Sequence, residues 1–304
     1  MAINVGIQMY SVRNHMQQDP VKTLQDVAAA GYRYVEFANH NAIVDDGIGF
    51  GQNATEMKAL LDSLGLKTAG CHLYPGIASG VVNGSETNED YVEDYTRIDF
   101  DRIFRYQEKL GNRNLSMAMV LYRDRDEVLR KCEQFNAAGK RCHDSGFVLH
   151  YHNHYEIGQH FDGKTVYELI AENTDPNYIA FQLDTFWAMR GGLDPVALCK
   201  TYGKRIRLLH QKDFAKDAGE PLCIFDFVDE TKTIDYTAFS QAVKRESFTE
   251  IGTGQLDIQR IIDAAAAYTD AKYMFLEQDF SKYDEIRSIQ ISMDSFRRYK
   301  GVAF

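Results

Sequence analysis

Strand-like and helix-like patterns alternate along this chain from end to end, and that alternation restricts it to a small set of folds. "INVGIQMYSV" alternates apolar and polar residues and predicts a strand. "DPVKTLQDVAAAGY" predicts a helix. Asp19 is a natural N-cap, Pro20 suits the first turn, Gly31 suits the stop, and Val21, Leu24, Val27 and Ala28 recur at helical spacing. "RYVEFA" is a strand. "NATEMKALLDSLG" is a helix with Met57, Leu60, Leu61 and Leu64 on one face, and "KTAGCHLY" is the next strand. The pattern continues through "DFDRIFRYQEKLG" and "RNLSMAMVLY", then "RDEVLRKCEQFNAAGKRCHDSG" and "GFVLHYHNHYE". It runs on through "KTVYELIAEN" and "YIAFQLDTF", "DPVALCKTYG" and "RIRLLHQKDF", "LDIQRIIDAAAAY" and "KYMFLEQDF", and closes on the helix "DEIRSIQISMDSFRRYK". Strands in strict alternation with helices imply right-handed crossovers and a parallel sheet. Eight such units predict an α/β fold closed as a (β/α)8 TIM barrel, one domain over 1–304. The competing open, doubly wound sheet lacks its GxGxxG turn after the first strand. A long segment at about 214–250, between strand seven and helix seven, predicts a loop on the active face of the kind that forms lids.

Bulk properties agree with a large core and exclude some partners. The 18 Phe and 18 Tyr can fill a barrel, and only five Pro argue against a disordered linker. The net charge of −10, with basic residues clustered only locally, argues against nucleic acid. No apolar run is long enough for a membrane span. The five cysteines are an odd number without a CxxC pair, which suits free thiols in a reducing compartment. With no signal-peptide pattern at the N-terminus, a cytoplasmic location is expected.

The stretch "GFVLHYHNHYE" sets His150, His152 and His154 at alternating positions, which in a strand aims all three at one face. Glu36, His72, His152, Asp184, His210 and Glu277 all lie near the C-terminal ends of predicted strands, where barrel active sites are built. His152, Asp184, His210 and Glu277 lie 32, 26 and 67 residues apart, so no local metal motif joins them. Only barrel closure brings them together. Two imidazoles with two carboxylates suit one divalent cation: Mn2+, Co2+, Zn2+ or Fe2+, with Mg2+ less favoured by nitrogen ligands. The plainer alternative makes each a hydrogen-bonded strand end, but four such groups at one mouth need a common partner.

Other residues carry secondary expectations. His150 lies deeper and reads as a hydrogen-bonded core histidine. His154 and His72 are expected to touch substrate or support the metal ligands, and Glu36 to bind a hydroxyl or pair with a neighbouring Arg. Lys212, two after His210, faces the same way and would neutralise an enolate oxygen. Trp187, beside Phe186, offers an apolar wall for a sugar face, and Glu250 at the end of the long loop is a further substrate-binding candidate. Gly252 and Gly254 permit close backbone approach to a ligand.

These residues carry a resemblance. "GIQMYSVR", "AAAGYRYVEFA", "FNAAGKRCHDSGFVLHYHNH", the run from "TDPNYIAFQLDTFW" to "RIRLLHQKD", "EIGTGQLD" and "FLEQD" resemble the sugar phosphate isomerase/epimerase family with its xylose isomerase-like barrel, in its HNH-motif branch. The resemblance implies one divalent cation held by Asp184, His210, Glu277 and a strand-five residue. Many members carry glutamate at that fourth position. Here His152 matches it, with Glu156 as the alternative, although Glu156 follows His154 by two where the branch spacing is three.

A metal-dependent sugar or keto-sugar isomerase or epimerase follows, working through a metal-stabilised enediolate, with Glu277 as base and His154 and Lys212 assisting. Epimerases of this family resemble a two-glutamate arrangement with one carboxylate per face. Histidine at 152 favours one-face proton transfer, hence isomerisation or β-elimination. The alternative is a lyase or dehydratase acting on a keto-inositol or 3-keto-glycoside. Behind these stand a non-catalytic sugar-binding barrel and an abasic-site endonuclease, the latter opposed by the charge. The expected partner is a small carbohydrate. A homodimer through the helical face is compatible with such barrels.

Overall fold

A computed structural model describes residues 2–40, 53–73, 95 and 98–304. Eight parallel strands form the barrel: β1 (Ile3–Gln8), β2 (Tyr34–His40), β3 (Lys67–Leu73), β4 (Asn114–Met117), β5 (Val148–His152), β6 (Ile179–Asp184), β7 (Ile206–Gln211) and β8 (Tyr273–Leu276). Each pairs with the next, and β8 closes on β1 through Asn4↔Tyr273 to Ile7↔Leu276. The short strand Val302–Ala303 pairs with the start of β1.

Eight helices cover the outside: α1 (Pro20–Ala30), α2 (Ala54–Ser63), α3 (Phe100–Leu110), α4 (Arg125–Asp144), α5 (Val166–Asn173), α6 (Pro195–Tyr202), α7 (Ile258–Tyr268) and α8 (Glu285–Phe296). Their starting points are chemical. Asp19, Asn53, Asp99, Asp124, Thr165, Asp194, Asp257 and Asp284 each accept a backbone N–H of the first turn. Thr165 and Glu168 complete a reciprocal capping box. α1 ends as its sequence implies, on Gly31 in the left-handed region at φ 109°.

Some boundaries differ from expectation. β1 stops at Gln8, because the Gln8 side chain accepts the Tyr10 N–H and starts a 3-10 turn over Met9–Val12, followed by the helix Arg13–Gln18. β5 stops at His152, so His154 lies past the strand and leads a second 3-10 turn, Tyr155–Gly158. A short α-helix, Thr185–Arg190, follows β6, whose last residue Asp184 caps it through the Trp187 N–H at 2.8 Å.

Inward-facing residues recur two apart and change character along the barrel. Ala69, Leu208 and Phe275, packed by Tyr34 and Tyr273, form an apolar inner layer. Two residues further along their own strands, Tyr34 is followed by Glu36, Leu208 by His210 and Phe275 by Glu277, so the next layer is polar. The main core lies outside the strands, between sheet and helices.

The 214–250 segment begins and ends on an antiparallel pair, Asp213↔Thr249 and Phe214↔Phe248. Arg190, buried at the end of the post-β6 helix, donates to the carbonyls of Pro221 and Leu222 at 2.7 and 2.9 Å and to the Glu220 carboxylate at 2.7 Å. Gln159 donates to the carbonyls of Glu230 and Lys232 at 2.8 and 2.9 Å. These bonds fasten the segment to the loops after β5 and β6. Those two loops also touch backbone to backbone. A Cβ on Gly158 would lie 1.8 Å from the Gly191 carbonyl oxygen, which no rotamer change relieves. Gly158→Ala is therefore expected to cost about 1–3 kcal/mol or more, as overpacking of a rigid contact does. A urea midpoint equal to wild type would show that these loops are not packed as described.

Candidate metal centre

The register carries the convergence. Asp184 ends β6 directly beside His210 of β7, and His152 ends β5 opposite Gln182, two residues before Asp184. Glu277 follows β8, whose Phe275 pairs with His210. Ligand-capable atoms of His152, Asp184, His210 and Glu277 all lie within 4.8 Å of one another, and all four residues are buried. His72, His152 and His210 form an overlapping group. Their rings lie 4.8 Å (His72–His152), 4.6 Å (His152–His210) and 5.1 Å (His72–His210) apart.

His152 decides how this cluster is read. It is 1% exposed, yet neither ring nitrogen has a hydrogen-bond partner among the described residues. A buried polar group without a partner is costly, so two such nitrogens in one ring need a ligand to complete them. Burial, with the His210, His72 and His154 rings adding to it, holds its pKa well below the ordinary histidine value. The ring is therefore neutral, the form that binds a cation. Glu156 is engaged elsewhere. Its Oε1 accepts the Tyr151 hydroxyl at 2.9 Å and the His154 amide at 3.1 Å. The geometry thus brings His152, not Glu156, into the cluster.

Charges around the cluster are dense. Lys212 Nζ donates to Asp184 at 2.6 Å and to Glu277. His210 places Nδ1 3.1 Å from Glu277 and Nε2 against Glu36. Burial opposes charge on His210, but Glu36 and Glu277 outweigh it and hold the imidazolium up to about 10. Burial likewise opposes the Glu277 carboxylate, and Lys212 and His210 overcome it, pulling its pKa well below the usual range. For Asp184, burial wins over Lys212 and His210 and pushes the pKa up. Three buried carboxylates, Glu36, Asp184 and Glu277, face two cationic groups, Lys212 and His210. That excess of negative charge fits a cation, and the two-imidazole, two-carboxylate donor set fits a first-row divalent metal.

Around this centre the other expected residues take distinct places. His154 reaches it from the loop, its ring 5.0 Å from His152 and 5.5 Å from Trp187. Burial pushes its pKa down to about 3. Trp187 is buried with its indole N–H unpartnered among the described residues, and Lys212 Nζ lies 5.7 Å from its ring centre. His72 Nε2 bonds Gln182 at 2.9 Å. His150 behaves as a core histidine, its Nδ1 bonded to the Leu115 carbonyl at 3.0 Å and its pKa pushed down to about 4 by burial. Glu250 accepts the Ser281 and Ser288 hydroxyls at 2.6 and 2.8 Å. Gly252 and Gly254 donate their N–H groups to the Asp213 carboxylate at 2.9 and 3.0 Å.

A family model for the xylose isomerase-like TIM barrel matches residues 24–299. The chain belongs to that family. Among curated relatives, an inosose dehydratase of Bacillus cereus (strain AH820) is 28% identical over 46% of this chain and 44% of its own length. One from Geobacillus kaustophilus (strain HTA426) is 34% identical over 38% of this chain and 34% of its own length. The chain thus spans less than half the length of these relatives. Among solved structures, a sugar phosphate isomerase/epimerase from Parabacteroides distasonis ATCC 8503 superimposes with TM-score 0.74 at 22% identity, covering 99% of this chain and 100% of the other. An L-ribulose 3-epimerase gives 0.63 at 14% identity, covering 97% and 93%. The IolI protein with a bound zinc atom gives 0.66 at 13%, covering 97% and 96%. Likeness at these identities shows the fold.

Within this xylose isomerase-like barrel, four residues near the site escaped the sequence reading. Gln8 and Gln182 bond Glu36 at 2.9 and 2.7 Å. Gln182 stands two before Asp184 and shares its inward face, a signal that strand periodicity offered. Asp279 stands two after Glu277, 3.8 Å from Lys212 Nζ. Burial raises its pKa to about 7 against the pull of Lys212. Phe239, from the long loop, sets its ring 5.5 Å from His154 and 5.7 Å from Trp187, and no local pattern announces that contact.

Proposed function

We propose that this barrel is a divalent-metal-dependent enzyme that removes a proton beside the carbonyl of a small sugar or keto sugar, as an isomerase or epimerase. The observation that carries the reading is the buried cluster of His152, Asp184, His210 and Glu277 with both His152 nitrogens unpartnered among the described residues. Those four residues would hold the cation, which when bound supplies Lewis-acid stabilisation of charge on a substrate oxygen. Glu277 is the base. Its depressed pKa keeps it ionised at neutral pH, and Lys212 beside it is placed to neutralise an oxyanion formed as the proton leaves. His154, neutral and between Trp187 and His152, orients a hydroxyl. Trp187 and Phe239 give the substrate an apolar wall and keep water away.

A second reading, a lyase acting by β-elimination on a keto-inositol, is favoured by two observations. The curated relatives are inosose dehydratases, and the strand-five position holds histidine where a two-carboxylate epimerase needs a second base. One experiment separates the readings. Mn2+-loaded protein is incubated in D2O with a panel of ketohexoses and keto-inositols. Deuterium at a C–H with carbon count and oxygen content kept supports the isomerase or epimerase, loss of water marks the lyase, and neither, with substrate bound, leaves a sugar-binding barrel.

Cation binding is also expected to release about one proton, because His210 is an imidazolium before binding and must lose that proton to become a ligand. The sign is fixed: affinity rises with pH, roughly tenfold per unit below about 10. Calorimetry in buffers of different ionisation enthalpy measures the proton directly, and zero release would remove His210 from the ligand set.

A further inference from the structure

We propose that Glu36 is a positioning residue of the cation centre, locking the His210 ring so that Nε2 is spent on the Glu36 carboxylate and Nδ1 is left for the metal. The inference rests on the metal reading above.

Glu36 sits in β2, opposite Gln8 of β1 and Gly70 of β3. Its side chain is fully buried, and its two oxygens receive donors from four directions. Gln182 Nε2 donates to Oε1 at 2.7 Å, and Gln8 Nε2 to Oε2 at 2.9 Å. His72 Nε2 lies 3.3 Å from Oε2, and His210 Nε2 is bonded to the same oxygen. A carboxylate so enclosed has no oxygen to offer a substrate, so the expectation that Glu36 binds a hydroxyl gives way to a supporting role. Gln182 Oε1 also accepts from His72 Nε2 at 2.9 Å, which ties the second imidazole into the same frame.

The neighbouring strand is shaped around this carboxylate. A Cβ on Gly70 would lie 2.5 Å from Glu36 Oε1 and 3.0 Å from its Cγ, so β3 keeps a glycine where the side chain must lie. The other end of the His210 ring shows what the arrangement accomplishes. Nδ1 lies 3.1 Å from Glu277 Oε2, inside the four-residue cluster, while Nε2 points away from Glu277 into the Glu36 frame. An imidazole that donates one N–H to a carboxylate has its tautomer fixed, its ring held and its other nitrogen made a stronger donor to a metal. The bonds that do this span 174 residues for Glu36–His210 and 146 for Glu36–Gln182, so they hold β2, β6 and β7 in one arrangement.

The test uses the full chain, stripped with a chelator and titrated with Co2+ alone. Binding is followed by calorimetry and by the visible spectrum of bound Co2+, with the denaturant midpoint read alongside. Wild type is expected to bind one equivalent. Glu36→Gln keeps the shape of the side chain but removes its charge, and it is expected to bind Co2+ about 10–100-fold more weakly, with the same stoichiometry and an altered spectrum. Gly70→Ala pushes the Glu36 carboxylate aside without touching it chemically and is expected to shift affinity and spectrum the same way. A purely structural role moves the midpoint but leaves the spectrum of the bound ion unchanged. Wild-type affinity and spectrum in Glu36→Gln overturn the proposal. If that variant does not fold, the same result in Gly70→Ala overturns it. If wild type takes up no Co2+, the metal reading fails and the positioning role falls with it. If wild type binds and the variants match it, only the positioning role fails.

Discussion

Titrated with Mn2+ after chelator treatment, the wild-type chain is expected to take up one equivalent, and His152→Ala and His210→Ala each to lose more than about 100-fold in affinity, exceeding the loss expected from a supporting residue. The two variants ask different questions. His210 already has two carboxylate partners, Glu36 and Glu277, so its removal strips the centre of a group that both strands address. His152 has no hydrogen-bond partner among the described residues, so its removal breaks none there. A ring kept buried without a hydrogen bond is destabilising in the metal-free protein, and His152→Ala is accordingly expected to hold or improve metal-free stability while binding collapses. That opposition of signs is what a ligand site predicts and a structural histidine does not. Unchanged Mn2+ affinity in His152→Ala would place the fourth ligand elsewhere and bring Glu156 back into consideration, despite its bonds to Tyr151 and the His154 amide.

Glu277→Gln is expected to lower proton exchange at the substrate C–H by about 10²–10⁴-fold, the usual worth of a positioned general base. Measured as deuterium incorporation from D2O by metal-loaded protein, the loss should be largest in turnover and smaller in substrate affinity. Lys212 supplies the control on the electrostatics. Its ammonium bonds both Asp184 and Glu277, so an amide at 277 leaves the lysine with Asp184 and the more distant Asp279 as its charged partners. A Glu277→Gln protein that still binds its cation but exchanges no deuterium supports the base assignment. If exchange survives at the wild-type rate, the base is another carboxylate, and Asp279, 3.8 Å from Lys212 and held near neutrality, stands next.

How much of this was legible along the chain follows from the range of each interaction. Helix starts were readable because a cap acts over three residues: Asp19 accepts the Lys22 amide, and Asp284 the Ile286 amide. Strand identity was readable because inward residues recur at a spacing of two, and the same spacing placed His152, Asp184, His210 and Glu277 near strand ends. Strand length was less legible. β1 stops at Gln8 because one side-chain amide oxygen captures the Tyr10 N–H, and β4 is only Asn114–Met117. His154 was expected on the strand face with His150 and His152. It reaches the same space by a turn, because β5 has already ended.

The destination of Glu36 and Glu250 was not legible. Both are acidic residues at the ends of strand-like segments, and nothing local separates them. Glu36 is taken by Gln8, Gln182, His72 and His210, whereas Glu250 is taken by Ser281 of the loop after β8 and Ser288 of α8. Phe239 was invisible for the same reason, since it meets His154 only because Arg190 and Gln159 fasten the long loop down.

Periodicity, caps and turn glycines act within a few residues, and they set the eight strand–helix units and the polar residues at their ends. Barrel closure and register act over hundreds of residues. They alone chose which of those polar ends meet, left His152 without a partner among the described residues, and turned Glu36 inward to hold His210. Backbone pairing between strands distant in sequence is a cooperative property of the closed sheet, and no stretch of chain carries it alone.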